Sequence, residues 1–203
     1  MSMDGEIINE LHLEDLFSKI TIGLIDTTSQ DGHESWGGLF EETRRGLVWV
    51  TDDDVKGHCV YVYDTSGVNK NKLLEIEQNS GTILLLWHID GAMFKKRSKG
   101  DCALIQNRFL HLVEFKANVV TSSEESIEEH YEKAAEQLIN SYNLINDLYK
   151  RINIESKDIF DSVDAMIVFN PTIPRRNPTQ QSFQEKFRQE HKMILYMGNK
   201  RKF

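Results

Sequence analysis

The sequence predicts an α/β fold: a central mixed β-sheet with antiparallel hairpins, flanked by helices. Three features point to it. Residues 100–116 read as two apolar strands joined by a tight turn at Asn107-Arg108. A long helical stripe follows, with apolar residues at Ile127, Tyr131, Ala134, Ala135, Leu138, Ile145, Leu148, Tyr149 and Ile152. A further apolar run, Ala165-Met166-Ile167-Val168-Phe169, comes after that helix. The strands of the hairpin are apolar at nearly every position, as in a sheet covered on both faces.

The other elements are read in order. Residues 6–20 carry Ile7, Ile8, Leu11, Leu13, Leu16 and Phe17 and predict a short amphipathic helix. Residues 26–38, rich in Thr, Ser, Gly and Asp, predict a loop. Leu47-Val48-Trp49-Val50 and Cys59-Val60-Tyr61-Val62-Tyr63 predict strands, separated by Asp52-Asp53-Asp54 and Gly57. Residues 69–79 are expected to be helical, and Thr82 to Ile89 a strand closed by Asp90-Gly91. Ser122 or Ser123 can cap the long helix, with Glu124 and Glu125 in its first turn. Pro171, Pro174 and Pro178 mark a loop; Gln181 to Lys192 predicts a helix and Met193 to Met197 a last strand. Asn199 to Phe203 is expected to be a frayed basic tail.

At 203 residues the chain fits one domain, 1–203, with ample core. With 24 basic and 32 acidic residues the net charge is −8, which argues against strong non-specific attraction to phosphate backbones. Any nucleic-acid contact then needs local basic patches. Cys59 and Cys102 are far apart in sequence and form no metal-type pair, as expected in a reducing interior. No apolar run reaches transmembrane length, so no membrane partner is expected. The first residues lack a charged and an apolar signal region, so cytoplasm is the default.

The hairpin also carries chemistry. A two-residue turn at Asn107-Arg108 sets Gln106 opposite Phe109 and Asp101 opposite Glu114. Opposed residues share a face with Cβ atoms about 5 Å apart. Lys116, two residues past Glu114, shares that face. Two carboxylates this close repel and raise one another's pKa. A hard divalent cation, Mg²⁺ or Mn²⁺, relieves that repulsion by taking their oxygens. Asp101 and Glu114 are therefore the candidate metal ligands, and Lys116 a candidate for orienting a water or stabilising charge on a phosphate.

With these residues in place, the chain resembles the PD-(D/E)xK nuclease superfamily, the restriction-endonuclease-like fold. That family has an acid at the start of one core strand and Glu-x-Lys near the end of the next; Asp101, Glu114 and Lys116 match. Its core runs helix, three antiparallel strands, helix, strand, an order that fits residues of about 70–171. Residues 1–69 and 172–203 would then be N- and C-terminal elaborations. The chain is similar in particular to small uncharacterised bacterial members with a "CD-hydrophobic … VELK" pattern and a helix carrying A-x-x-Q-L. Here these are Gly100-Asp101-Cys102, Val113-Glu114-Phe115-Lys116 and Ala134-Ala135-Glu136-Gln137-Leu138. Tyr142 is five residues past Gln137, so the Gln-x-x-x-Tyr of RecB-type exonucleases is missing.

The resemblance implies Mg²⁺-dependent phosphodiester hydrolysis of nucleic acid, DNA foremost, in phage defence or DNA processing. It places Gln137 as an orienting residue beside Lys116. It calls for another acid on the helix before the three strands; Glu75 and Glu77 are the candidates there, with Glu41 and Glu42 weaker. Lys95, Lys96, Arg97 and Lys99, just before Asp101, and Arg175 and Arg176, after the fourth core strand, are candidate phosphate contacts. The alternative is a nuclease fold without activity that serves as a binding or scaffold subunit. Either reading leaves room for a homodimer or a place in a larger complex. The seven histidines show neither HxxxH nor HExxH spacing, so zinc is not expected, and His111 is expected to be structural. Trp36, Trp49 and Trp87 are expected in the core rather than as base-stacking platforms.

Overall fold

A computed structural model describes residues 40–89, 99–116, 124–151, 153–170 and 178–203. The expected helix at 6–20, the loop at 26–38 and the proline loop at 171–177 lie outside the described residues.

The hairpin forms in the register that its turn dictates. Strand β6 (Cys102–Gln106) pairs antiparallel with β7 (Phe109–Lys116), with Gln106 opposite Phe109 and Cys102 opposite Val113. Of the two turn residues, Asn107 takes the positive φ, 54°, which its short polar side chain tolerates. On one side β6 pairs antiparallel with β5 (Leu84–His88), which in turn pairs with the edge strand β1 (Phe40–Thr43). On the other side β7 runs parallel to β8 (Ser162–Phe169), and β8 to β9 (Leu195–Gly198). A parallel partner for β7 needs a crossover, which helix α1 (Glu124–Arg151) and the single turn α2 (Ser156–Ile159) supply. Twenty-eight residues make α1 about 42 Å long, enough to cross the six-stranded sheet.

Alternation then divides the apolar side chains into two cores. Ala103, Ile105, Leu110 and Leu112 face α1 and α3 (Pro178–His191), among Tyr131, Leu138, Ile145 and Phe187. Cys102, Leu104, Val113, Met166 and Val168 face the other way, onto Val48, Val50, Cys59, Leu74 and Ile76 of a second sheet. That sheet has four strands in the order β10-β4-β2-β3: β2 (Leu47–Asp53), β3 (His58–Val62), β4 (Leu74–Glu77) and β10 (Lys200–Lys202). The protein is thus mixed α/β, with two mixed sheets and few helices. Among the described residues, helices cover one face of the larger sheet and the second sheet covers the other.

Two expectations are corrected. Residues 69–79 are not a helix: a 3-10 turn, Lys70–Lys72, leads into β4. Leu74 and Ile76 are fully buried while Glu75 and Glu77 point outward, a period of two that suits a strand with partners on both sides. The basic tail is not frayed either. Lys200–Lys202 runs parallel to β4, Lys200 Nζ pairs with Glu75 Oε1 at 2.7 Å, and the Phe203 N–H donates to the Glu77 carbonyl at 2.9 Å. Arg201 Cζ lies over the Tyr196 ring, 3.6 Å from its centre, and its Nη2 reaches Asp164 Oδ2 at 3.4 Å. Burial raises the Asp164 pKa and Arg201 opposes the rise. Arg201→Ala is expected to destabilise the protein by about 1–3 kcal/mol, because it leaves a half-buried acid without its charge-assisted hydrogen bond. Urea unfolding checks this; a midpoint equal to wild type would mean that the tail contributes nothing.

Candidate metal centre

Asp101, Glu114, Lys116 and Gln137 come together where β6 begins and β7 ends, on the face of the sheet that α1 covers. Gly100 brings the chain in. A Cβ there would lie 3.2 Å from the Val113 carbonyl oxygen and 3.4 Å from Ser141 Oγ, so the close passage between β7 and α1 suits glycine. The Gly100 N–H donates to Ser141 Oγ at 2.8 Å, and the Ser141 hydroxyl donates to the Gln137 carbonyl at 3.1 Å. The next residue, Asp101, donates its N–H to the Val113 carbonyl at 3.0 Å. Its carboxylate Oδ2 accepts the Phe115 N–H at 2.6 Å. Asp101 is held against β7 by backbone on both counts, beside Glu114.

Glu114 is 1% exposed. Its Oε1 accepts a hydrogen bond from Lys116 Nζ. Its Oε2 is buried with no hydrogen-bond partner among the described residues. Lys116 Nζ also donates to Gln137 Oε1 at 2.9 Å, and Gln137 Nε2 donates to the Lys99 carbonyl at 2.9 Å. Gln137 therefore fixes the ammonium from the helix side. Burial pushes the Glu114 carboxyl up to about 8; Asp101 adds to the rise, Lys116 opposes it, and Asp52 adds a little more. The lysine does not compensate for the loss of water and the neighbouring acids.

Asp52, near the end of β2 in the second sheet, is an acid whose place the sequence does not reveal. There it stands only as part of an acidic turn, whereas the fold brings it within electrostatic reach of Glu114, Cys59 and Cys102. The signal available was an acidic run directly after an apolar strand. Asp52→Asn should lower the Glu114 pKa from about 8, and by less than Asp101→Asn does. Carboxyl-carbon NMR titration measures both; an Asp52 effect larger than that of Asp101 would contradict this arrangement.

The expected extra acids are elsewhere. Glu75 and Glu77 lie on β4, outward-facing in the second sheet, with Glu75 paired to Lys200. They fail because the segment preceding β5 is a strand, not a helix. Lys99 is 3% exposed and supplies its carbonyl to Gln137, so it is not part of an open basic surface. Lys95, Lys96, Arg97, Arg175 and Arg176 lie outside the described residues. Trp87 is in the helix-side core. His111 is buried against Phe203 and burial holds its pKa down at about 3, so its 3.6 Å approach to Asp164 is no ion pair. Cys59 and Cys102, far apart in sequence, meet across the sheet interface through their side chains. Burial raises both thiols, so they act as small apolar groups.

The donors at the centre are two carboxylates, a set that suits a hard divalent cation. The orphaned Glu114 Oε2 beside Asp101 is the observation that fits one. Among the described residues, no helix is long and apolar enough to cross a membrane. No family model, curated protein or solved structure matches this chain.

Proposed function

We propose that the protein is a Mg²⁺- or Mn²⁺-dependent phosphodiesterase acting on nucleic acid, DNA foremost, built on a restriction-endonuclease-like core. The observation that carries the reading is Glu114: a buried carboxylate with one oxygen on Lys116 and the other unmatched, set beside Asp101. The element order supports it. Strands β5, β6 and β7 are antiparallel neighbours, and α1 and β8 follow them, which matches three antiparallel strands, helix, strand in the order that the resemblance implies; the helix it calls for before these strands is replaced by β4.

Asp101 and Glu114 would hold the cation, which supplies charge neutralisation at the phosphate and a more acidic water. Asp101 brings a carboxylate already oriented by the Phe115 N–H. Lys116, steadied by Gln137, presents its ammonium at the same point and stabilises negative charge developing on the phosphoryl oxygens. Asp52 adds negative potential that strengthens cation binding, in the part expected of Glu75 or Glu77. A phage-defence or DNA-processing role would follow from such an activity.

Calorimetric titration with Mg²⁺ and cleavage assays on single-stranded, duplex and branched DNA test the proposal. Cation uptake that depends on Asp101 and Glu114, with cation-dependent cleavage, is the expected result. Absence of both in the wild-type chain would overturn it and leave a non-catalytic scaffold.

A further inference from the structure

On the opposite side of the same sheet, Glu41, His58 and His88 bring one ligand atom each within 4.8 Å of one another. Three elements build the group. Glu41 on β1 stands opposite Leu86 on β5, so it shares a face with His88 two residues on. That face is the one turned to the second sheet, whose β3 begins at His58. The two imidazoles stack with centroids 4.4 Å apart and planes 21° from parallel. Glu41 Oε1 lies 3.5 Å from His88 Nε2, while Glu41 Oε2 accepts the Tyr61 N–H at 3.5 Å. One carboxylate oxygen is thus tethered to β3 and the other is turned to the histidines.

We infer that Glu41, His58 and His88 form a binding site for a borderline divalent cation, Zn²⁺ being its representative. Two imidazoles and one carboxylate are a donor set that prefers zinc-class metals to Mg²⁺. Ligands on tetrahedral zinc, each about 2.0–2.1 Å from the metal, lie roughly 3.3 Å apart, close to the observed Glu41–His88 separation. A side-chain rotation at His58, which is only half-buried, closes the remaining gap. The backbone hydrogen bond to Glu41 is the kind of outer contact that orients a metal-bound carboxylate. Three protein ligands leave a fourth position for water. Because β1 and β5 belong to one sheet and β3 to the other, the ion would clasp the two sheets together. The site does not rest on the nuclease reading: it differs in ligand chemistry, face and metal.

The test is calorimetric titration of the chelator-treated protein with Zn²⁺, beside His58→Asn, Glu41→Gln and Glu114→Gln. His58 and Glu41 are partly exposed, so these two variants should fold, which circular dichroism checks. Wild type and Glu114→Gln should bind one equivalent. His58→Asn and Glu41→Gln should bind at least about tenfold more weakly. The Tm of wild type should rise by about 5 °C or more at Zn²⁺ concentrations roughly 100-fold above Kd. No stoichiometric uptake by wild type overturns the inference. So does uptake that survives His58→Asn and is lost in Glu114→Gln, which would place zinc at the carboxylate pair instead.

Discussion

Glu114→Gln is expected to remove the fall in stability between about pH 6.5 and about pH 8, and with it the response to Mg²⁺. The folded protein holds a proton on Glu114 up to about 8, against an ordinary value of 4.5. Between those values the unfolded chain has lost a proton that the folded one keeps. The Glu114 contribution to stability therefore falls as pH rises through this window and levels off above it; below about pH 6.5 buried His111 contributes the opposite slope, so the net fall in wild type lies between about pH 6.5 and about pH 8. The full swing of the Glu114 contribution is on the order of 5 kcal/mol, an upper figure for so buried a group. Gln cannot ionise, so the variant should keep only the rise that buried His111 gives up to about pH 6.5, stay flat from there to about pH 8, and exceed wild type at about pH 8. Mg²⁺ binds the ionised carboxylate, so in wild type it should oppose the loss, most strongly at the alkaline end. Thermal unfolding from about pH 5 to about pH 9, with and without excess Mg²⁺, measures all three effects. A wild-type profile already flat between about pH 6.5 and about pH 8 would remove the basis for a carboxyl group with a raised pKa at this position.

Lys116→Met should lower the cleavage rate by about 10²–10³-fold at saturating Mg²⁺, the typical loss on removing one stabilising donor from a reacting centre. Met keeps the stem that packs under the 14% exposed side chain, so the fold should persist. The two variants differ in kind. Glu114→Gln should fail at cation binding, and Lys116→Met in the rate once the cation is bound. Gln137→Ala should fall between wild type and Lys116→Met, since it loosens Lys116 without removing it. Equal rates for Lys116→Met and wild type would exclude the lysine from the chemistry.

Much of the centre was legible because a hairpin is local. Once Asn107 sets the turn, register follows, and register places Asp101, Glu114 and Lys116 on one face. The long helix was legible from its apolar period, and Gln137 from its place on that helix. Less local features were not. Leu73, Leu74 and Ile76 suit a helix turn or a strand equally. Pairing with β2 and β10, from distant parts of the chain, favours the strand and removes Glu75 and Glu77 from the site. The tail Lys200–Lys202 reads as solvated charge until β4 offers acids and an edge.

Local sequence is enough to specify the hairpin, its register and the face that its acids share, because these depend on contacts a few residues apart. Which sheet each remaining strand joins is a matter of tertiary packing. That packing brings Asp52 toward Glu114, Cys59 to Cys102, and Glu41 and His58 to His88. Those meetings depend on laying one sheet across another, where residues far apart in the chain become neighbours and spacing along it carries no signal.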